Sequence, residues 1–326
     1  MATLSVVICT RNRPDTVGQA VDSVARCTHR AFDIHVMDQS TDDRTQVIVQ
    51  QLANTHLDRC AIVHHHLSRA GLSAAYNSGI AVATGEIIAC TDDDVIVPED
   101  WLVQIEQAFD RHRDADLLYG QVCIPAELEA DVASGVIVPA LTFEKEERLS
   151  LREGFKVFGM GANMAIRRSL LDRVGGFDEA LGGGGPLRSS QDFDFAYRTW
   201  RFGGVILLAP GVKVDHYGTR TADQWPETLR NYGIGDGAFY GKHIRCGDVK
   251  ATWLFARAVA RSRAYEVKQL LTQGRWAPDA YGRHLLVGFR AGRPFGIDRR
   301  FRLYRESARA KMTVTDANSV TSAVRK

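Results

Sequence analysis

Three consecutive carboxylates, Asp92-Asp93-Asp94, close an apolar run that begins at Glu86. Held side by side at the end of a strand, they repel one another. A divalent cation relieves that repulsion, and hard cations prefer oxygen ligands. The alternative is a turn whose aspartates cap a helix near Pro98. Two more polar clusters follow apolar runs in the same way: Thr10-Arg11-Asn12-Arg13, and the stretch from Asp38 to Asp42. His64-His65-His66 also offers ligand atoms. Strand alternation turns the middle ring away from its neighbours, so no metal site is expected there. The run Gly182 to Gly185 lacks the Lys-Ser/Thr of a phosphate-binding loop. It reads either as a mobile loop beside an acceptor or as plain linker.

These side chains need elements to carry them. Leu4 to Cys9 is a short apolar run suited to a buried strand, and Pro14 then opens a helix with Val17, Val21 and Val24 on one face. Phe32, Ile34 and Val36 alternate as a strand ending at Asp38. Helical and strand patterns continue to alternate up to the helix marked by Leu102, Ile105 and Phe109. This order predicts an α/β fold with a Rossmann-like, mostly parallel central sheet flanked by helices. In such sheets ligands bind beyond the carboxyl ends of the strands, where all three clusters fall. Residues 125–155 read as an acidic excursion, Met160 to Ile166 as a strand, and a helix begins near Ser189. Val205 to Leu208 and Val212 to Val214 read as two separate short strands. The expected division is a catalytic domain over 1–222, with its acceptor-side half from about residue 125, and a mainly helical, basic extension over 223–326.

The ordered pieces resemble family-two glycosyltransferases of the GT-A fold. They are Val6-Val7-Ile8-Cys9-Thr10-Arg11-Asn12-Arg13, Val36 to Asp42, Arg69 to Gly79, Ala83-Thr84-Gly85-Glu86, Asp92-Asp93-Asp94, Gly175 to Glu179, Gln191-Asp192-Phe193-Asp194 and Val214-Asp215-His216. The resemblance implies an inverting transfer of sugar from a nucleotide diphosphate (UDP, dTDP or GDP), assisted by Mn2+ or Mg2+. It implies that Asp92 and Asp93 lie at the nucleotide sugar and that Asp94 binds the metal. Asp38 would contact the base of the donor, with Thr10, Arg11 and Arg13 nearby and Arg69 at the nucleotide or its phosphates. Asn77 falls in the same donor region, with packing or a local backbone bond as its alternative role. His216 would complete the metal site. Asp192 would be the general base, taking the place of the second residue of the family's Glu-Asp motif, whose first position here holds Gln191. Asp194 stands behind it as a second choice of base. A local reading also fits Asp192, as an acidic residue in the first turn of a helix.

The composition sets outer bounds. A chain of 326 residues with 45% hydrophobic residues supports a sizeable core. Six scattered cysteines form no CxxC pair, which suits a reducing cytoplasm. No run approaches the roughly 18 apolar residues of a membrane span, and the amino terminus lacks a signal-peptide pattern. Residues 250–326 hold 17 Lys/Arg against 5 Asp/Glu, a net of +12, while the rest of the chain carries −10. That basic region is either a solvated face or a peripheral contact with an anionic membrane, on the inner face in a cytoplasmic setting. Trp253 to Leu271 sets Arg257, Arg261, Arg263 and Lys268 among apolar residues. A helix there either lies on a membrane or packs against the main domain. Trp225, Tyr232, Phe239 and Tyr240 are expected mainly in the core. No nucleic-acid-binding motif is present, and no nucleic-acid partner is expected. The acceptor class (glycan, lipid-linked sugar or small-molecule product) is not written in the motifs. A noncatalytic nucleotide-sugar-binding protein of the same fold is the alternative function, with Gln191 as its sequence support. A nucleotidyl- or phosphotransferase fits less well, because Thr10 to Pro14 is no glycine- and lysine-rich loop.

Overall fold

The computed structural model describes residues 2–156, 159–273 and 279–305. It divides into two compact units. The first comprises Met1–Phe177 and Asp192–Ala222, the second Asp178–Gln191 and Asp223–Lys326. Within the basic carboxyl-terminal region, 274–278 and 306–326 lie outside the described residues.

The first unit begins β1 (Leu4–Thr10), α1 (Pro14–Ala25), β2 (Phe32–Asp38), α2 (Arg44–Thr55), β3 (Ala61–His66), α3 (Leu72–Val82) and β4 (Ile87–Asp92). It continues β5 (Val95–Ile96), α4 (Trp101–Arg111), β6 (Leu117–Cys123), α5 (Glu129–Ala133), β7 (Glu147–Leu149) and β8 (Asn163–Arg167). It closes with α6 (Leu171–Val174), α7 (Gln191–Arg201, whose first residue falls in the second unit) and β9 (Ile206–His216). The strands order as β3-β2-β1-β4-β8-β6-β9-β5, with β7 also on β9. β1 to β4, β6 and β9 run one way, and β5, β7 and β8 run against them. The expected mostly parallel α/β sheet is therefore present.

Local chemistry explains the elements. Every residue of β1 is buried, as a central strand of β-branched and other apolar residues requires. Val17, Val21 and Val24 of α1 are fully buried at helical spacing. Gly79 lets α3 approach β1, since a Cβ there would sit 2.4 Å from Val7 Cγ1. The register then sets the rim. Thr10 pairs with Asp38 and Cys9 with Asp92, so the ends of three neighbouring strands present the three polar clusters together.

One strand replaces the two expected after residue 204. β9 runs unbroken through Pro210 and Gly211, and absorbs them in an irregularity opposite Gly120 and Gln121. Proline cannot donate to a ladder, so a bulge is where a strand tolerates it. Asn163 pins this bulge from a fully buried position. Its Nδ2 donates to Gln121 O (2.8 Å) and Val212 O (3.1 Å), and its Oδ1 accepts from Trp101 Nε1 (3.0 Å).

The second unit holds α8 (Trp225–Arg245), α9 (Val249–Gln273), α10 (Ala280–Ala291), β10 (Gly296–Asp298) and β11 (Leu303–Arg305). Glycines bring α8 and α10 into backbone contact, since a Cβ at Gly237 would lie 1.9 Å from Leu285 O. Phe239 and Tyr240 are buried as expected, whereas Tyr232 is partly exposed. The glycine run closes on itself as a hydrogen-bonded turn. Gly185 N donates to Gly182 O, and Gly182 N to Ser189 O.

Asn163→Ala strands Trp101 Nε1 and two carbonyls in a dry interior. Urea unfolding should show a loss of about 2–4 kcal/mol. A loss under about 1 kcal/mol would mean that Asn163 does not hold the bulge.

Candidate active site

The turn after β4 distributes the three aspartates to different neighbours. Asp92 Oδ1 accepts from the buried Tyr76 hydroxyl (3.1 Å). Asp93 points inward, accepting from Thr10 Oγ1 (2.7 Å) and Arg13 (3.0 Å). Asp94 also receives Arg13 (3.0 Å), and its Oδ1 lies 3.3 Å from His216 Nε2. His216 arrives because β9 ends beside β5, where it pairs with Val95, one residue past Asp94.

Ligand atoms of Asp92, Asp94 and His216 all fall within 4.8 Å of one another. Among the described residues this is the one such cluster. The His216 Nδ1 lies 2.8 Å from Pro139 O, an atom that only accepts. Nδ1 therefore carries the hydrogen, and Nε2 faces the carboxylates. Gly218 keeps the cleft open. A Cβ at that position would stand 2.5 Å from Asp94 Oδ2 and 2.8 Å from His216 Nε2.

The electrostatics agree with this geometry. Burial, then the neighbouring Asp94 charge, pushes the Asp92 carboxyl up to about 7. Burial also works on Asp94, but the His216 hydrogen bond and the charges of His216 and Arg13 hold it below the usual carboxylate range. Burial of the His216 ring is outweighed by its Asp94 contact, so its pKa is raised. A proton thus does part of what a dication does better. Two carboxylates and an imidazole fit Mn2+ or Mg2+, and the nitrogen ligand favours manganese.

Asp192 belongs to the same neighbourhood. Its Oδ2 accepts from Gly161 N (3.1 Å) and its Oδ1 from Phe193 N (2.8 Å). A Cβ on Gly161 would contact both Asp192 Oδ2 (3.7 Å) and Tyr76 Oη (4.0 Å), so the Asp192 carboxylate and the hydroxyl that donates to Asp92 lie on the same side of Gly161. Burial raises the Asp192 pKa. Asp194 is fully buried against Arg198 at 2.8 Å, which withdraws it as the second choice of base.

The other expected residues divide. Arg11 and Arg69 are exposed on the loops after β1 and β3. Asp38 is 0% exposed, with Oδ1 taking Ser40 N (2.8 Å) and Oδ2 facing His64 Nε2 (2.9 Å). It supports the loop after β2 from beneath. Asn77 ties down Phe177. Its Nδ2 donates to Phe177 O (3.0 Å) and its Oδ1 accepts from Phe177 N (2.7 Å). His65 meets His35 at 3.1 Å and takes no part in a metal cluster. Three participants are not singled out by the sequence: Tyr76 and Gln39, which lie within the matching stretches but carry no assigned role, and Gly218, which lies in none of them. Gln39 Nε2 donates to Arg69 O (2.6 Å) and Gly71 O (3.1 Å), fixing the loop that bears Arg69.

Gly218→Ala should weaken Mn2+ binding by about 10-fold or more, the scale of a disturbed metal environment, with the melting temperature unchanged. Calorimetric titration of Mn2+ decides it; affinity equal to the parent protein would remove Gly218 from the account.

Comparison with known proteins follows the same outline. A model described as Glycosyl transferase family 2 matches residues 5–175, more than half of the chain. The chain is 28% identical over 106 residues to the uncharacterised glycosyltransferase alr2836 of Nostoc sp., covering 32% of each. It is 29% identical over 119 residues to the PGL/p-HBAD biosynthesis glycosyltransferase of Mycobacterium bovis, covering 36% of this chain and 46% of that one. It thus spans about a third to a half of the length of these curated relatives. Mannosyltransferase PcManGT from Pyrobaculum calidifontis, solved with GDP-Man and Mn2+, aligns with a TM-score of 0.57 at 18% identity, over 89% of this chain and 87% of that one. S. aureus TarS 1-349 with UDP-GlcNAc aligns at 0.53 and 17% identity, over 72% and 66%. At these identities the structural likeness speaks for the fold, which is GT-A. The family match runs from β1 through α6 and includes the aspartate turn, and on it the chain belongs to glycosyl transferase family 2.

Proposed function

We propose that this protein transfers a sugar from a nucleotide-diphosphate donor to an acceptor hydroxyl or similar nucleophile, with inversion at the anomeric carbon. The observation that carries this reading is the Asp92–Asp94–His216 cluster, with Asp192 and the Tyr76 hydroxyl that donates to Asp92 together beside Gly161. We assign catalysis to the first unit, and the donor to the rim formed by Thr10, Arg11, Arg13, Arg69 and Asp92 to Asp94. UDP, dTDP and GDP are the donor nucleotides considered, as UDP-GlcNAc and GDP-Man are bound by proteins of the same fold.

Asp94, His216 and Asp92 would hold a divalent cation, which when bound would supply Lewis-acid stabilisation of the diphosphate leaving group. Arg13 adds a fixed positive charge, already aligned by Asp93 and Asp94. Charge that grows on the leaving diphosphate is met more strongly in the transition state than in the ground state. On the other side, Asp192 takes the proton of the attacking acceptor. The Gly161 amide fixes one of its oxygens and leaves a lone pair for the acceptor. Desolvation raises its pKa and so makes it a better proton acceptor. One base facing one leaving group gives a single displacement, hence inversion.

Release of nucleoside diphosphate from the donor, with water as acceptor, tests this without knowing the natural acceptor. Asp192→Asn should lower kcat by about 10²–10⁴-fold with donor KM nearly unchanged. The product sugar should appear first as the inverted anomer. Turnover in Asp192→Asn equal to the parent protein would remove Asp192 as the base, and donor binding without turnover in the parent protein would favour the noncatalytic nucleotide-sugar-binding alternative.

The pH dependence has a definite sign. Asp192 acts when deprotonated, and its pKa is raised. With metal saturating, activity should climb with pH through an apparent pKa above the ordinary carboxylate range. A flat acid limb in the parent enzyme, or the same limb in Asp192→Asn, would contradict the assignment.

A further inference from the structure

We propose that the outward side of α9 docks on an anionic membrane surface, the apolar stripe entering the headgroup boundary and the flanking cations meeting lipid phosphates. This stands on the second unit alone and does not depend on the donor-site reading.

The packing side of α9 is unambiguous. Ala251, Ala258, Ser262 and Glu266 are buried, and Phe255 packs on Tyr240 of α8 and Phe289 of α10. These positions recur at three- and four-residue steps and define one face. The opposite face is Val249, Trp253, Ala256, Ala260, Ala264, Val267 and Leu271, at the same steps. All seven are exposed, with Val249 at 81%, Trp253 at 51% and Leu271 at 80%. A straight apolar stripe thus runs about 33 Å along the helix. A solvated helix puts polar residues there.

Charge selects the occupant. Lys250, Arg257, Arg261 and Lys268 line one edge of the stripe, and Arg263 lies near the other. Lys250 and Arg257 sit over the Trp253 ring, at 5.0 and 5.4 Å. The carboxylate of this helix, Glu266, is buried and paired with Arg263, so the outward side carries none. A second copy on the same face would bring like charges together. Its contact would also be poor in volume, since the middle of the stripe is three alanines. A nucleic acid would use the cations and leave the stripe in water. An anionic bilayer satisfies both, with tryptophan at the interface where such rings partition. No helix among the described residues is long and apolar enough to cross a membrane, so α9 would lie along the surface.

Flotation of the full-length protein with phosphatidylcholine vesicles, with and without phosphatidylglycerol, tests the proposal. Binding should require phosphatidylglycerol and weaken by about 10-fold or more in high salt. It should fall by about 10-fold or more in Trp253→Glu/Leu271→Glu, and likewise in Lys250→Gln/Arg257→Gln/Arg261→Gln/Lys268→Gln, with circular dichroism unchanged. The tryptophan emission of the parent protein should shift to the blue on anionic vesicles, and most of that shift should vanish in the mild variant Trp253→Phe. Equal flotation of parent and variants overturns the proposal, as does equal binding to neutral vesicles. A parent dimer that becomes monomeric in Trp253→Glu/Leu271→Glu, without vesicle binding by either, assigns the stripe to a second copy and also overturns it. So does retention on nucleic acid without flotation.

Discussion

Two carboxylates that repel each other, Asp92 and Asp94, are the constraint around which the rest of the first unit is arranged. Left to themselves in a half-buried turn, they cannot both ionise cheaply, and Asp92 is pushed up to about 7. The fold tolerates this because positive charge comes from two directions. Arg13 arrives from the end of β1 and His216 from the end of β9. Such an arrangement is poor for stability alone, since apolar residues would pack as well without the charge. It is suited to taking a dication, which removes the repulsion outright.

Delivering His216 is the harder half of that problem. β1 and β4 are neighbours, so Thr10, Arg13 and the aspartates meet through register alone. β9 lies three strands further across the sheet, beyond β8 and β6. It reaches the site by running eleven residues, with a bulge at Pro210–Gly211 that Asn163 secures. The two-residue antiparallel pairing of β5 with β9 then closes the gap. Asp192 comes by another route, on α7, and is aimed by the amide of Gly161. Three separate segments therefore converge on one cleft, each held by a buried polar contact of its own.

Much of this was legible in the sequence where chemistry and periodicity coincide. The aspartate triplet, the clusters at Thr10 and Asp38, and the alternation of strand and helix all pointed to one rim, and the register of β2, β1 and β4 puts them there. The rest depends on contacts between residues far apart in the chain, which no local pattern encodes. In the sequence Asn77 is open to a donor contact or to a local backbone bond, and its amide bonds the backbone of Phe177, a hundred residues away. Asp38 reads as ending a strand on the rim, and in the structure His64 and the loop after β2 cover its carboxylate. Gly218 has no marking motif, because its role is the absence of a Cβ near Asp94. In α9 the sequence leaves a membrane contact and packing against the main domain both open, and contacts with α8 and α10 decide which face turns outward.

The measurement that bears most directly on the central claim is calorimetric titration with UDP, dTDP and GDP, each with Mn2+ and with EDTA, on the parent protein and on Asp94→Ala. The account predicts that one nucleotide binds with Mn2+, that EDTA abolishes the binding, and that Asp94→Ala does the same while remaining folded. Tight nucleotide binding that ignores EDTA and survives Asp94→Ala, or no binding by any of the three, would contradict it.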